Sequence, residues 1–437
     1  MVEQAKTSSY TYWVAFVATL GGFLQSYVGC VIAGALIFIA QEFHLSPLQE
    51  GHIASMVLLG ALVGSCCTGS PTDWWGRRRM FLFSALLYCL SSLAIFFTTS
   101  YLLLLCCRFA IGLAVGVTSL LGPLYLAEIA PASSRGAFVT AFQLAVTMGT
   151  LVAYLSNYAF YVSGDWRAML GIAALPALFQ LFCFFSFPET PKWLFAQGRI
   201  EKGNQVLQRL QGIQLNPSSM LHKEPKSSWK EVFIPLFRKG IYIGVLLSVF
   251  QQLCGINAIV FFAPRIFGEA GIDNVMFSML LIGIVNLLFT FTSLLFIDRF
   301  GRKKILLISQ CGVVLSLLVI VFAFATDIKW VDLLSIGAIL TFIASYALGA
   351  GPITWVLIAE IYPLSIRAKA MSIMTFLSWF STYVVVLSFP PILSILGSAW
   401  TFTLFFLLAA TALLLYWRLI PETKGKTLEQ IEEMLYG

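Results

Sequence analysis

The chain has 437 residues, 59% of them hydrophobic and 11% charged, and its mean hydropathy of +0.88 lies outside the range of an ordinary soluble domain. Its 27 Lys and Arg against 20 Asp and Glu leave a formal charge of +7. In so apolar a chain that excess reports membrane sidedness and excludes nucleic acid as the reason for the basic balance.

Apolar windows long enough to cross a ~30 Å hydrocarbon core begin near Tyr12, Gly51, Met80, Leu102, Phe138, Ala168, Ile241, Val275, Ile305, Leu333, Met371 and Trp400. They predict an all-α polytopic membrane protein with twelve transmembrane helices. The first window continues for about thirty residues without a small-residue cleavage pattern, so it reads as a span and not as a cleaved signal. With both termini in the cytoplasm, only Arg167, Arg265 and Lys329 of the 27 basic residues lie outside, and Arg108 falls within a span. The positive-inside rule therefore selects that orientation. Short external loops without an N-x-Ser/Thr acceptor point to a bacterial inner membrane.

The nine cysteines all sit in apolar runs, and histidine occurs only at 44, 52 and 222. No disulfide framework, metal site, cofactor site or Cys/His nucleophile is expected, and no enzyme.

Three motifs repeat in the same order about 230 residues apart. DWWGRRRMFLF at Asp73 returns as DRFGRKKILLI at Asp298, YLAEIAPASSRGA returns as LIAEIYPLSIRAKA, and PETPKW at Pro188 returns as PETKGK at Pro421. The repetition predicts two homologous six-helix halves: an N-terminal bundle over 1–190, a cytoplasmic linker with short amphipathic helices over 191–235, and a C-terminal bundle with a short tail over 236–437. In the linker, Ile200, Val206, Leu207 and Leu210 fit the apolar face of a helix, while Asn216 to Ser228 reads as a connector.

The duplicated turns gather acids and bases at the cytoplasmic ends of spans. Asp73, Arg77, Glu128, Arg135 and Glu189 in one half, and Asp298, Arg302, Glu360, Arg367 and Glu422 in the other, are expected to form two ionic clusters. If these bridge the halves only when the inner side is closed, they bias the conformational equilibrium and act as a gate. The alternative is that the basic residues merely anchor loops.

One polar stretch interrupts the apolar pattern. QQLCGINAIVFFAP, from Gln251 to Pro264, sets Gln251, Gln252 and Asn257 in a run with no charge before Arg265. Carboxamides in hydrocarbon are costly, so they must face protein or a wet cavity. A straight helix would spread the three around its axis, but a bend or unwound turn at Gly255 would bring them onto one wall. Uncharged groups that both donate and accept suit a ligand rich in hydroxyls. They would equally serve as glue between helices.

The duplicated turns, together with RFAIG at Arg108, PETPKW, QQLCGIN and the terminal PETKGKTLEQI, closely resemble the sugar porter family of the major facilitator superfamily, from about Thr19 to Glu433. The resemblance implies two pseudo-symmetric six-helix bundles around a midplane site, with alternating access by rocking of the halves. It also implies sugar contacts at Gln143, Gln251, Gln252, Asn257, Asn286, Trp355 and Trp379. Phe261 and Phe262 match the aromatic pair that closes the outer end of the site. Three positions depart from the family pattern. Ser378 stands where Asn or Gln is usual, Gln25 where Phe is usual, and Val28 where proton-coupled members carry Asp.

The expectation is thus a facilitative transporter of a neutral monosaccharide or polyol, functional as a monomer in a lipid bilayer. A cation-coupled symporter is the rival. A non-transporting sugar sensor fits less well, because the N-terminal arm and the tail are both short. Val28 cannot titrate, and none of the 20 acids falls at mid-span. Arg108 is therefore expected to bind backbone carbonyls, Gln25 or water in place of an acid.

Overall fold

Each apolar window forms a helix in the computed structural model, which describes residues 8–131, 134–213, 229–272, 274–326, 331–363, 366–424, 426 and 428–436. Eleven helices among them are long and apolar enough to cross a membrane. They are α1 (Ser9–Phe43), α2 (Pro47–Trp75), α3 (Arg77–Phe96), α4 (Tyr101–Ile129), α5 (Arg135–Phe160), α6 (Trp166–Ser186), α7 (Pro235–Glu269), α8 (Val275–Phe300), α9 (Arg302–Ala325), α10 (Leu333–Ile361) and a final stretch, Lys369–Leu419. That last stretch has 51 residues, which at 1.5 Å each would reach about 77 Å, more than twice the hydrocarbon thickness. It breaks at Gly397, where φ is 75° and ψ 171°. The stretch is therefore two spans, α11 (369–396) and α12 (398–419), which makes twelve.

Local sequence explains where these helices start. Ser8, Asp165, Thr190 and Asn274 each accept, through the side chain, the backbone N–H three residues on, satisfying a donor that the first helical turn leaves orphaned. In the linker, Ile200–Gln211 is helical with Leu207 and Leu210 buried, as its apolar periodicity requires. The connector Asn216 to Ser228 lies outside the described residues.

The chain groups into two units. The first comprises Met1–Val31, Met56–Ser156 and Asp165–Glu224. Its core is built on Val17, Phe81, Leu121, Tyr125 and Phe187. Within it α2 and α4 meet through glycines: a Cβ on Gly112 would overlap the Val57 carbonyl and Gly60. Where lipid is as apolar as leucine, such close backbone approach replaces the hydrophobic drive.

The second unit comprises Ile32–Ser55, Asn157–Gly164 and Pro225–Gly437. It therefore holds one end of α1, α2 and α5 along with the whole C-terminal half. Its core includes Leu247, Leu306, Ile353, Leu357, Met374 and Tyr416. Two of its helices are interrupted. α7 breaks at Gly255, and α10 widens into a π-helical turn over Tyr346–Ala350 just before Pro352.

Candidate functional site

Gly255 carries φ 86° and ψ 11°, a left-handed conformation that costs glycine little and other residues more. A Cβ there would also meet the Phe405 ring. The break turns Asn257 back toward the residues before it, so that its Nδ2 donates to Gln252 Oε1 at 2.8 Å. Gln252 Nε2 donates to Ser378 Oγ on α11 at 2.9 Å and to Gln251 Oε1 at 3.3 Å. Gln251 Nε2 in turn donates to the carbonyls of Ala350 and Gly351 on α10, at 2.8 and 2.9 Å.

The direction of this chain is dictated by chemistry. Carbonyl oxygens only accept, so Gln251 must present its NH2 group to them, and that choice fixes the flips of Gln252 and then Asn257. Both amide hydrogens of Gln251 and of Gln252 are used. Asn257 Oδ1 and one of its amide hydrogens, together with the Ser378 hydroxyl hydrogen, have no hydrogen-bond partner among the described residues. Three helices thus converge on a line of uncharged groups whose open end is Asn257 and Ser378.

Of the remaining residues read as sugar contacts, Asn286 on α8, Trp355 on α10 and Trp379 on α11 belong to the same unit and are half-buried. Trp355 packs against the core. Phe261 and Phe262 are both buried. Phe262 leaves helical geometry at φ −120°, ψ 19° two residues before Pro264, whose ring and missing N–H disturb the preceding turn. Its ring lies 5.2 Å from that of Phe389.

In the first unit, Gln143 is exposed on α5 and Gln25 is half-buried on α1, its amide oxygen buried without a hydrogen-bond partner. Arg108 is fully buried, and its Nη1 donates to the Val28 carbonyl at 2.9 Å. A backbone carbonyl is thus among the partners of Arg108, as expected.

The charged clusters differ from expectation in how they are built. Arg77 contacts Glu128 through Nε and Nη2, each at 3.3 Å, and Asp73 at 3.3 Å. Arg302 Nη2 lies 3.4 Å from Glu360. Each guanidinium therefore finds a carboxylate within its own unit. Glu189 and Glu422 also cap helix N-termini. Glu189 accepts the backbone N–H groups of Arg77, Arg78 and Thr190 at 3.0 to 3.1 Å, and Glu422 accepts those of Arg302, Thr423 and Lys424. A carboxylate at a helix N-terminus meets free donors and the positive end of the helix dipole. The duplicated Gly76 and Gly301, each at φ 91°, make this possible, because a Cβ on either would overlap the carboxylate. Burial pushes the Glu189 carboxyl up, against its three backbone hydrogen bonds.

Two further basic residues belong to the duplicated motifs. Arg135 is exposed at the start of α5, and Arg367 donates to the Tyr362 carbonyl at 2.9 and 3.1 Å. The side chain of Asp298 lies outside the described residues. One ionic group was missed from sequence altogether. Arg265 on α7 contacts Glu50 at the start of α2 at 2.9 Å and Glu269 at 3.5 Å, and Ser398 at the head of α12 donates to Glu269. The signal available was two acids placed on the side of the membrane where basic residues are scarce.

Twelve membrane-spanning helices, breaks in two of them and a buried uncharged cluster define the class: a non-enzymatic membrane carrier. The family model described as "Sugar (and other) transporter" matches residues 14–435. The chain is 36% identical to the galactose-proton symporter of Escherichia coli (strain K12), over 97% of this chain and 94% of that one. It is 33% identical to the D-xylose transporter of Levilactobacillus brevis, over 97% and 96%. Among solved structures it is similar to the inward open conformation of the xylose transporter XylE from E. coli, with TM-score 0.85, 28% identity, and 97% of this chain and all of that one covered. The chain belongs to the sugar porter family of the major facilitator superfamily, with that fold's two pseudo-symmetric six-helix bundles.

Proposed function

We propose that the protein is a uniporter of a neutral monosaccharide or polyol, carrying it by alternating access of two halves, residues 1–190 and 236–437, joined by the linker over 191–235. The observation that carries the reading is the carboxamide chain of Gln251, Gln252 and Asn257, built from groups that donate and accept without charge and left open at Asn257 and Ser378. Hydroxyls of a sugar can meet both kinds of open valence. Gln25, Gln143, Asn286, Trp355 and Trp379 complete the site in this reading, and the buried, unsatisfied oxygen of Gln25 takes a further hydroxyl. Phe261 and Phe262 close its outer end. The duplicated clusters at Arg77 and Arg302 act as a gate in this reading, biasing the conformational equilibrium by bridging the halves when the inner side is closed. Both termini face the cytoplasm of a bacterial inner membrane, and the monomer is the working unit.

Uniport rests on the Val28 position, where the carbonyl holds Arg108 and no side chain can carry a proton. A relative named for proton symport keeps the coupled carrier as the rival. Glu50, half-buried against Arg265, is the carboxylate such coupling would use. The test is uptake by reconstituted proteoliposomes over a panel of labelled sugars and polyols, with and without an imposed pH gradient. Equilibrating uptake that ignores the gradient is expected. Concentrative uptake driven by an inward proton gradient and abolished by a protonophore would overturn uniport, and no uptake of any neutral sugar or polyol would overturn the substrate class.

A further inference from the structure

The π-helical turn of α10 is held by a residue that neither the family resemblance nor the charge pattern singles out. Ser309 on α9 accepts the Ala350 N–H at 2.7 Å and donates to the Ser345 carbonyl at 2.7 Å. Its hydroxyl is thus inserted between the two backbone groups that a π turn would otherwise pair directly. The approach is close, since a Cβ on Gly349 would overlap Ser309 and one on Gly312 would overlap the Ser345 side chain. Just beyond the splint are the two carbonyls, of Ala350 and Gly351, that anchor Gln251.

We propose that Ser309 is a positioning residue for ligand recognition: its hydroxyl holds the α10 π turn so that the Ala350 and Gly351 carbonyls fix Gln251, which sets the donor and acceptor order presented by Gln252 and Asn257. The relay runs from α9 through α10 to α7 and ends on α11 at Ser378, every link being a hydrogen bond of 2.7 to 3.3 Å. Without the splint, the Ala350 N–H and the Ser345 carbonyl are left to close directly on each other, and the turn tightens toward geometry in which the two carbonyls no longer aim at one amide. Gln251 is then free to flip, and the open end of the chain loses its fixed polarity. In this scheme Gln251 is an anchor whose hydrogens are already spent, and a ligand that recruits them must first release α10. The inference rests on the proposed sugar site.

The test is a double-mutant cycle on the full-length protein, using Ser309→Ala and Gln251→Ala. The probes are D-xylose, D-galactose and D-glucose, with dissociation constants and melting midpoints both measured. Ser309→Ala should weaken binding on the order of 3- to 30-fold in the wild-type background. In the Gln251→Ala background it should add almost nothing, because the link it acts through is gone. Independent, multiplicative losses would mean that Ser309 is merely structural and would overturn the inference, as would unchanged affinity in a folded Ser309→Ala protein. If Ser309→Ala does not fold, Ser309→Cys, which keeps the side-chain shape and replaces the hydroxyl with a thiol that is only a weak donor and acceptor, enters the same cycle under the same criteria. Melting without sugar reads the relay independently of the site. Coupled melting with wild-type protein that binds no sugar would sink the sugar site and leave the splint standing, whereas additive melting would sink the splint whatever binds.

Discussion

Gly76→Ala tests the physical account of the duplicated turn most directly. Gly76 has φ 91° and ψ 163°, a region essentially closed to residues with a Cβ. Forcing alanine there costs about 1 to 3 kcal/mol of backbone strain. The added methyl also overlaps the Glu189 carboxylate, which must withdraw from the Arg77 and Arg78 N–H groups; losing such a cap costs about 0.5 to 2 kcal/mol. Together the change destabilises by about 1.5 to 5 kcal/mol. Other glycines separate the two contributions. Gly198 has φ 73° with no neighbour near its Cβ position, and Gly136 has neither feature. Gly198→Ala should therefore show strain alone, and Gly136→Ala, inside a helix, should be neutral or slightly stabilising. Melting midpoints of the purified variants at one scan rate, since unfolding of such proteins is irreversible, should fall in the order Gly136→Ala, Gly198→Ala, Gly76→Ala. If Gly76→Ala melts no lower than Gly198→Ala, the carboxylate cap contributes nothing and the reasoning fails.

Gln252→Ala removes a group with three hydrogen bonds in the site chain, and at ~0.5 to 1.5 kcal/mol per bond lost to a ligand it should weaken sugar binding roughly 3-fold to 100-fold while the protein still folds; unchanged Kd values across the sugar panel would show the site to be misplaced. At the other end of the second unit, Glu50→Gln should loosen the Arg265 contact and raise the reactivity of a cysteine introduced on that side of the membrane; labelling rates equal to those of the parent would argue against a latch there. Burial raises the Glu189 carboxyl, so the folded chain binds that proton before an unfolded one does. Stability from this group is full below the usual glutamate range and is lost as pH rises through the raised value. The decline in melting midpoint with rising pH above that range should be shallower in Glu189→Gln, and identical slopes would refute the assignment.

Period, length and charge placement determined the spans by themselves, because lipid demands that each crossing segment be apolar and helical wherever it meets hydrocarbon, satisfying its own backbone. The same demand made the carboxamides at 251, 252 and 257 visible, since polar groups are conspicuous against hydrocarbon. Duplication marked the turns that hold Gly76 and Gly301. What those glycines serve was not legible, because Glu189 meets Arg77 only once the chain has folded back across more than a hundred residues. Pairing between charges is likewise a matter of distance: one-dimensional order gave acids and bases at the same depth but could not say that Arg77 closes on Glu128 within its own unit, that Arg367 turns to a carbonyl, or that Glu50 reaches Arg265. Ser309 carried no signal at all. A serine in an apolar helix is ordinary, and only the tertiary approach of α9 to the widened turn of α10 puts its hydroxyl between two backbone groups that would otherwise have only each other.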